Sequence, residues 1–211
     1  MTPERSEKFH QVLSHRQADL AIVMENVHDP HNISAVMRTC DAVGIQDIFV
    51  INSMIPKHAY FGPKSSSSAA KWLTVHQFTT IEDCIPVLRS RYSKIYCTHL
   101  STDAVDLYEV DFTKESIAIV FGNEHVGVSD EMRTHSDGNI IIPQVGMIKS
   151  LNISVACAIS IYEAFRQKKI AGHYQTPSLS EERIQEIRTV WSKPKVKFRF
   201  KDLRALKRAT Q

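Results

Sequence analysis

This sequence predicts an α/β fold, a mostly parallel sheet flanked by helices, on three observations. Short apolar, β-branched runs alternate with longer stretches of helical spacing, the pattern of successive strand-helix-strand units. Glycines and polar residues gather just after the apolar runs, where the carboxyl ends of parallel strands place functional loops. A length of 211 residues suits one well-buried domain with decorated ends better than two full-sized domains.

The elements follow in order. Phe9, Val12, Leu13 and the stem of Arg16 are spaced for a short N-terminal helix, after which LAIVME, residues 20–25, reads as a buried strand. Residues 31–43 are helical and stop at Gly44 as a C-cap. Strands are expected over 47–51, 94–98, 116–121 and 139–142, with a helix over 81–91. A long helix from about 152 to 169 closes the body. Between 53 and 71 the order breaks at Pro56, Gly62, Pro63 and four consecutive serines, which predicts a mobile surface loop. Its Lys57, His58 and Lys64 suit either an RNA-contacting arm or a connection without a role. Past Gly172 and Pro177, short appended helices are expected over 179–191 and 201–208. The predicted organisation is a helical extension over 1–19, a body over 20–170 and a basic extension over 171–211.

Composition removes several classes of function. No window approaches the roughly 18 apolar residues that span a bilayer, and the opening residues lack the apolar core of a signal peptide. Cys40, Cys84, Cys97 and Cys157 are scattered without a CxxC pair, as expected of reduced, buried thiols in a cytoplasmic protein. His28 and His31 with Cys40 match no recurring metal-site spacing, so no metal is expected. The net charge is only +3, but nine of the basic residues lie from 188 to 211 against a single acid, Asp202. A cationic end on a mildly acidic body suits a polyanion such as RNA, or is a solvated face. Trp191, Phe198 and Phe200 interleave with these charges and are placed either to stack on bases or to pack the tail onto the body.

Three segments carry candidate chemistry. The seven glycines never fall at GxGxxG spacing, which argues against a simple dinucleotide fold. FGNEHVGV follows the apolar run SIAIV, so Gly122 sits at a strand end where a missing side chain lets backbone approach a ligand. In IIPQVGMIKSLN, Pro143 stops a strand, Gly146 permits a tight loop, and Ser150 or Asn152 is placed to cap the long helix. Ser34 and Arg38 lie four apart on one helix face, with Asn32 just before them. An Arg there can grip a phosphate with its fork, or pair with Glu25 or Asp41 on the surface. Neither a Ser/His/Asp triad nor an isolated carboxylate pair stands out.

Taken together, RQADLAIVMENVHDPHNISAVMRTCDAVGI, THLS at 98–101, FGNEHVGVSD and IIPQVGMIKSLNISVACAISIYEAFRQ resemble the SPOUT methyltransferases. Within them the chain is similar to the TrmH-type tRNA (guanosine-18-2'-O)-methyltransferases. The resemblance runs from about Arg5 to Lys169 and implies a C-terminal deep trefoil knot and a homodimer whose active site is completed across the interface. It implies S-adenosyl-L-methionine contacts at Thr98, Leu100, Gly122, Ile142 and Leu151, many of them through backbone. It assigns Arg38 to catalysis, with Asn32, Glu124, Ser150 and Asn152 organising substrate or loops. The pattern of Arg5, Val12, Leu13, Arg16, Gln17, Asp19 and Leu20 also resembles the guanosine-18 group, which implies tRNA as partner. Gln144, Lys149 and the tail after Gly172 depart from the family's pattern. An rRNA 2'-O-methyltransferase of the same family and a catalytically silent RNA-binding module are the competing readings.

Overall fold

The computed structural model describes residues 1–56 and 69–193. Its helices are α1 (Pro3–Leu13), α2 (Pro30–Val43), α3 (Ile81–Arg89), α4 (Asp130–Thr134), α5 (Ile153–Ile170) and α6 (Glu181–Ser192). Its strands are β1 (Leu20–Glu25), β2 (Asp47–Ile51), β3 (Thr74–Phe78), β4 (Lys94–Thr98), β5 (Val105–Asp106), β6 (Ile117–Phe121) and β7 (Gly138–Ile141). They form one seven-stranded sheet in the order β3-β2-β1-β6-β4-β7-β5, and every strand pairing is parallel.

The continuous apolar runs are explained by that topology. β1, β2 and β6 are buried along their whole length because helices cover both faces of the sheet. Alternate residues sort to opposite layers: Leu20, Ile22 and Met24 join α2 and α5, whereas Ala21 and Val23 join α3 and Met132 of α4. The register of β1 against both neighbours, Met24 opposite Val50 and Phe121, aligns the carboxyl ends of the central strands along one edge. Gly44 ends α2 in the left-handed conformation, φ 87°, and a Cβ there would lie 2.5 Å from the His15 carbonyl oxygen.

The terminal helices pack together instead of trailing from the body. Phe9 and Leu13 of α1 meet Leu179, Ile187 and Trp191, with Trp72 against them. Phe9, Trp72 and Trp191 form a triangle of edge-on rings 5.2–5.8 Å apart. Beneath them the fully buried Arg16 guanidinium donates to the carbonyls of Asp41, Ile45 and Trp72 and pairs with the Asp41 carboxylate. Trp191 therefore packs the C-terminal extension onto the body, at 6% exposure.

Several elements escaped the sequence pattern. TVHQF forms edge strand β3, where partial exposure removes the apolar run that marks a central strand. β5, α4 and the 3-10 helices Ala69–Trp72 and Leu107–Glu109 are too short to display a period. The end of the expected 53–71 loop is thus ordered, with Ala69 buried and Trp72 in the aromatic triangle. Lys57, His58, Lys64, Phe198, Phe200 and the helix expected over 201–208 lie outside the described residues.

Removing the central indole tests this terminal layer. Trp191→Ala is expected to cost about 3 kcal/mol, read as a lower urea midpoint with an unchanged slope.

Candidate active site

The loop after β6 is folded by its own atoms. Asn123 and Gly127 exchange both backbone hydrogen bonds at 2.9 Å, and the Asn123 side-chain oxygen accepts the amides of His125 and Val126. The reversal requires φ +73° at Gly127. It also brings Gly127 so close that a Cβ on Gly122 would lie 2.1 Å from its carbonyl carbon. The loop's own return therefore demands glycine at 122, a constraint beyond the close ligand approach expected from sequence.

Glu124, at the tip, joins this loop to two others. Its carboxylate accepts the His28 amide (3.0 Å), the Asp29 amide (3.2 Å) and the Asn32 side-chain amide (3.0 Å). Asn32 in turn accepts a hydrogen bond from the Asn152 side-chain amide at 3.1 Å. Asn152 caps α5, its oxygen accepting the Ser154 amide at 2.9 Å, while Ser150 remains exposed. Partial burial opposes ionisation of Glu124, but the bonds from Asn32, His28 and Asp29 outweigh it and hold the carboxyl below its ordinary value.

A cavity of about 590 Å³ lies beside this network, in the usual range for a small-molecule site. Thr98, Leu100, Gly122, Ile142 and Leu151 all line it, as do Glu124, Ser150 and Asn152. Phe121, Ile140, Ile153 and Ala156 supply apolar wall, and the Thr98 hydroxyl is turned to the Val120 carbonyl at 2.9 Å. Apolar walls beside exposed loop backbone at the strands' carboxyl ends fit the adenosine of a nucleoside cofactor. Arg38 is not brought to this wall: it is exposed on α2, about 1.7 turns beyond Asn32. Glu25 is buried with its carboxylate accepting the Ser129 amide, and Asp41 holds Arg16. Gly146 has neither a positive φ nor a neighbour that a Cβ would meet; the chain bends at Gly146 and Met147 without needing glycine's conformational freedom, and the loop runs exposed.

Two contributors went unnoticed in sequence. Asn26 is the one described non-glycine residue with positive φ, 51°. It ties β1 to β2 through the Ile51 carbonyl, to Ser53 and Met54 through its side chain, and to Asn123 through its own carbonyl. Asn tolerates the left-handed region, which is the only local signal it offers. His99 lines the cavity and meets the Arg133 guanidinium at 2.6 Å through Nε2. Burial and the Arg133 charge both lower its pKa, which favours a neutral ring with Nε2 as acceptor.

A parallel sheet with a cavity at its carboxyl edge, walled by a glycine loop and an amide–carboxylate network, defines an α/β enzyme of the nucleoside-cofactor-binding class. Residues 19–162 match the SpoU rRNA methylase family, and the chain belongs to that family. It is 40% identical over 192 residues to a tRNA (guanosine(18)-2'-O)-methyltransferase of Thermus thermophilus, covering 90% of this chain and 96% of the relative. Its fold superimposes on the TrmH/SpoU tRNA modifying enzyme of Aquifex aeolicus with TM-score 0.82 and 38% identity, over 89% and 94% of the two chains. The SpoU methyltransferase AviRb of Streptomyces viridochromogenes, solved with AdoMet, matches at TM-score 0.65 and 25% identity over 74% of this chain and 63% of its own.

Two measurements test this geometry. Gly122→Ala forces a Cβ into the returning loop, so calorimetry should show S-adenosyl-L-methionine affinity falling at least about fivefold, from overpacking of about 1–3 kcal/mol. For Glu124, a folded pKa below the unfolded value of about 4.3 means its contribution is complete above that pH and lost as pH falls through the folded value. Glu124→Gln should accordingly lose less stability than the wild type on acidification below about pH 4.3, followed by circular dichroism in urea.

Proposed function

We propose that the protein transfers a methyl group from S-adenosyl-L-methionine to the ribose 2'-hydroxyl of guanosine 18 in the D-loop of tRNA. The observation that carries this reading is the meeting of three distant segments at one cavity, through Glu124, Asn32 and Asn152. The full-length similarity to a tRNA-modifying relative favours tRNA over rRNA as substrate.

S-adenosyl-L-methionine supplies an electrophilic methyl carbon on its sulfonium. Thr98, Leu100, Gly122, Ile142 and Leu151, which line the cavity, would hold it, largely through backbone. The chain must then align the ribose oxygen for in-line attack and manage its proton. Transfer would form the oxygen–carbon bond as the carbon–sulfur bond breaks, with the hydroxyl proton passing to water. Arginine, with a pKa above about 12, is a poor base. Arg38 works instead beside a substrate phosphate, orienting the ribose and stabilising the developing alkoxide. Ser150 and Asn152 organise the ribose side of the cavity, and Glu124 and Asn32 fix the loops that carry them.

The working unit in this reading is a homodimer. Support comes from Arg38, which lies off the cavity wall within one chain, and from the exposed apolar residues Val145, Met147, Ile148, Val155 and Tyr162 along the last loop and α5. Exposed apolar residues concentrated along one segment suit a protein-contact surface. Ile153 and Ile161 face the core, whereas Val155 and Tyr162 form a second, exposed apolar stripe on that helix. A trefoil knot is supported by strand order: β7 inserts between β4 and β5, so the 99–104 connection must bridge the segment that becomes the last loop. Residues 20–170 act as the catalytic body, and the extensions over 1–19 and 171–211 add RNA contacts in the cytoplasm. No helix among the described residues is long and apolar enough to cross a membrane.

Incubation with labelled S-adenosyl-L-methionine and tRNA transcript should place a 2'-O-methyl group at guanosine 18, and 2'-deoxyguanosine there should abolish it. Incorporation at a base atom, or into rRNA fragments alone, would overturn the reading. Arg38→Lys should lower kcat by roughly 10²-fold with tRNA binding retained. Near-normal turnover would remove the role given to its fork geometry.

A further inference from the structure

Lys149 lies in the exposed loop between β7 and α5 and lines the cavity beside Ser150, Leu151 and Glu124. The Gln144 side-chain amide donates to the Lys149 carbonyl at 3.4 Å, drawing the ends of the 144–149 stretch together. The lysine's place on the wall is therefore fixed through backbone, leaving its ammonium uncommitted. Among the described residues that ammonium makes no ion pair and no hydrogen bond. The one acid on the wall, Glu124, is already occupied by three donors from His28, Asp29 and Asn32.

This placement is electrostatically incomplete. S-adenosyl-L-methionine carries a sulfonium and an ammonium against a single carboxylate, so its binding would bring one net positive charge to a wall on which the Lys149 ammonium is balanced only by the Glu124 carboxylate. Lys149 sits on the exposed side of the wall, whereas Phe121, Ile140 and Ile153 on the inner side are buried. An anion arriving from solvent at the mouth would relieve the repulsion, and RNA brings one at every nucleotide. We propose that Lys149 is a positioning residue that receives a backbone phosphate flanking the target ribose, seating the 2'-hydroxyl against Ser150 and Asn152. The inference rests on the RNA-methyltransferase reading and adds a substrate contact that the chemistry does not itself require.

The test is Lys149→Gln, which removes the charge but keeps a polar side chain and the backbone carbonyl that Gln144 uses, with Lys149→Arg as the charge-retaining control. Steady-state kinetics with tRNA at several salt concentrations should show KM for tRNA raised roughly five- to tenfold and kcat within about twofold of wild type. The slope of log affinity against log salt should fall in magnitude by about 0.9, one phosphate contact. Calorimetry should find S-adenosyl-L-methionine binding unchanged or tighter, and Lys149→Arg should restore tRNA KM. Weaker cofactor binding with unchanged tRNA KM would assign the ammonium to the cofactor carboxylate and overturn the proposal. No change in KM, slope or cofactor affinity would overturn it as well. A wild-type enzyme inert on tRNA would strike the functional reading instead, which separates the two failures.

Discussion

The carboxylate of Glu124 holds together three stretches of chain that lie far apart in sequence, and the site depends on that junction. It takes two backbone amides ahead of α2 and the side chain of Asn32 within it, while Asn32 passes the connection to Asn152 at the start of α5. A partly buried carboxylate is tolerable only when its oxygens are matched by donors. Here the donors come from another loop, so satisfying the charge and positioning the loops are the same event. Helix α5 begins where it does because Asn152 can cap it while reaching Asn32 with its other atom.

The sheet makes that junction possible. Its central strands are parallel and in register, so the loops leaving β1, β4, β6 and β7 emerge on one edge and need only short reach to meet. Helices on both faces make the central strands apolar throughout and confine polar residues to their ends. Selection for buried strands and selection for a polar site thus act on different residues of the same short segments. At the opposite end of α2, the buried guanidinium of Arg16 fastens the terminal helices to the body through four oxygen atoms.

The glycines show how one residue type answers different demands. Gly44 is set by helix termination and the nearness of the His15 carbonyl, and Gly122 by the return of its own loop. Gly127 supplies a positive φ in open space, while Gly146 meets neither demand. Its freedom accompanies a strongly exposed apolar stretch, where Val145, Met147 and Ile148 project from the loop that also carries Lys149. One loop thus both lines the cavity and presents apolar side chains to the outside.

The alternation of apolar runs and helical spacing determined the parallel α/β architecture, because burial on both sheet faces leaves that imprint on composition. Gly44, the placement of Ser150 or Asn152 to cap α5 and the position of Gly122 and Glu124 just past a strand end were legible for the same reason: each obeys a local rule of backbone conformation or strand polarity, whereas Ile142 and Leu151 were implied only by the family resemblance. Short or half-exposed elements such as β3 and α4 carry too little periodicity to be read. Only the tertiary structure decided which polar residues answer one another. The bonding of Glu124 to Asn32, the strain accepted at Asn26 and the approach of Arg133 to His99 span separations that no sequence period encodes. The assignment of Trp191 to packing was likewise decided in space, by the nearness of Phe9 and Trp72. A local rule fixes what a residue can do with its own backbone; a hydrogen bond or ring contact across the fold exists only once the sheet has brought its two ends together.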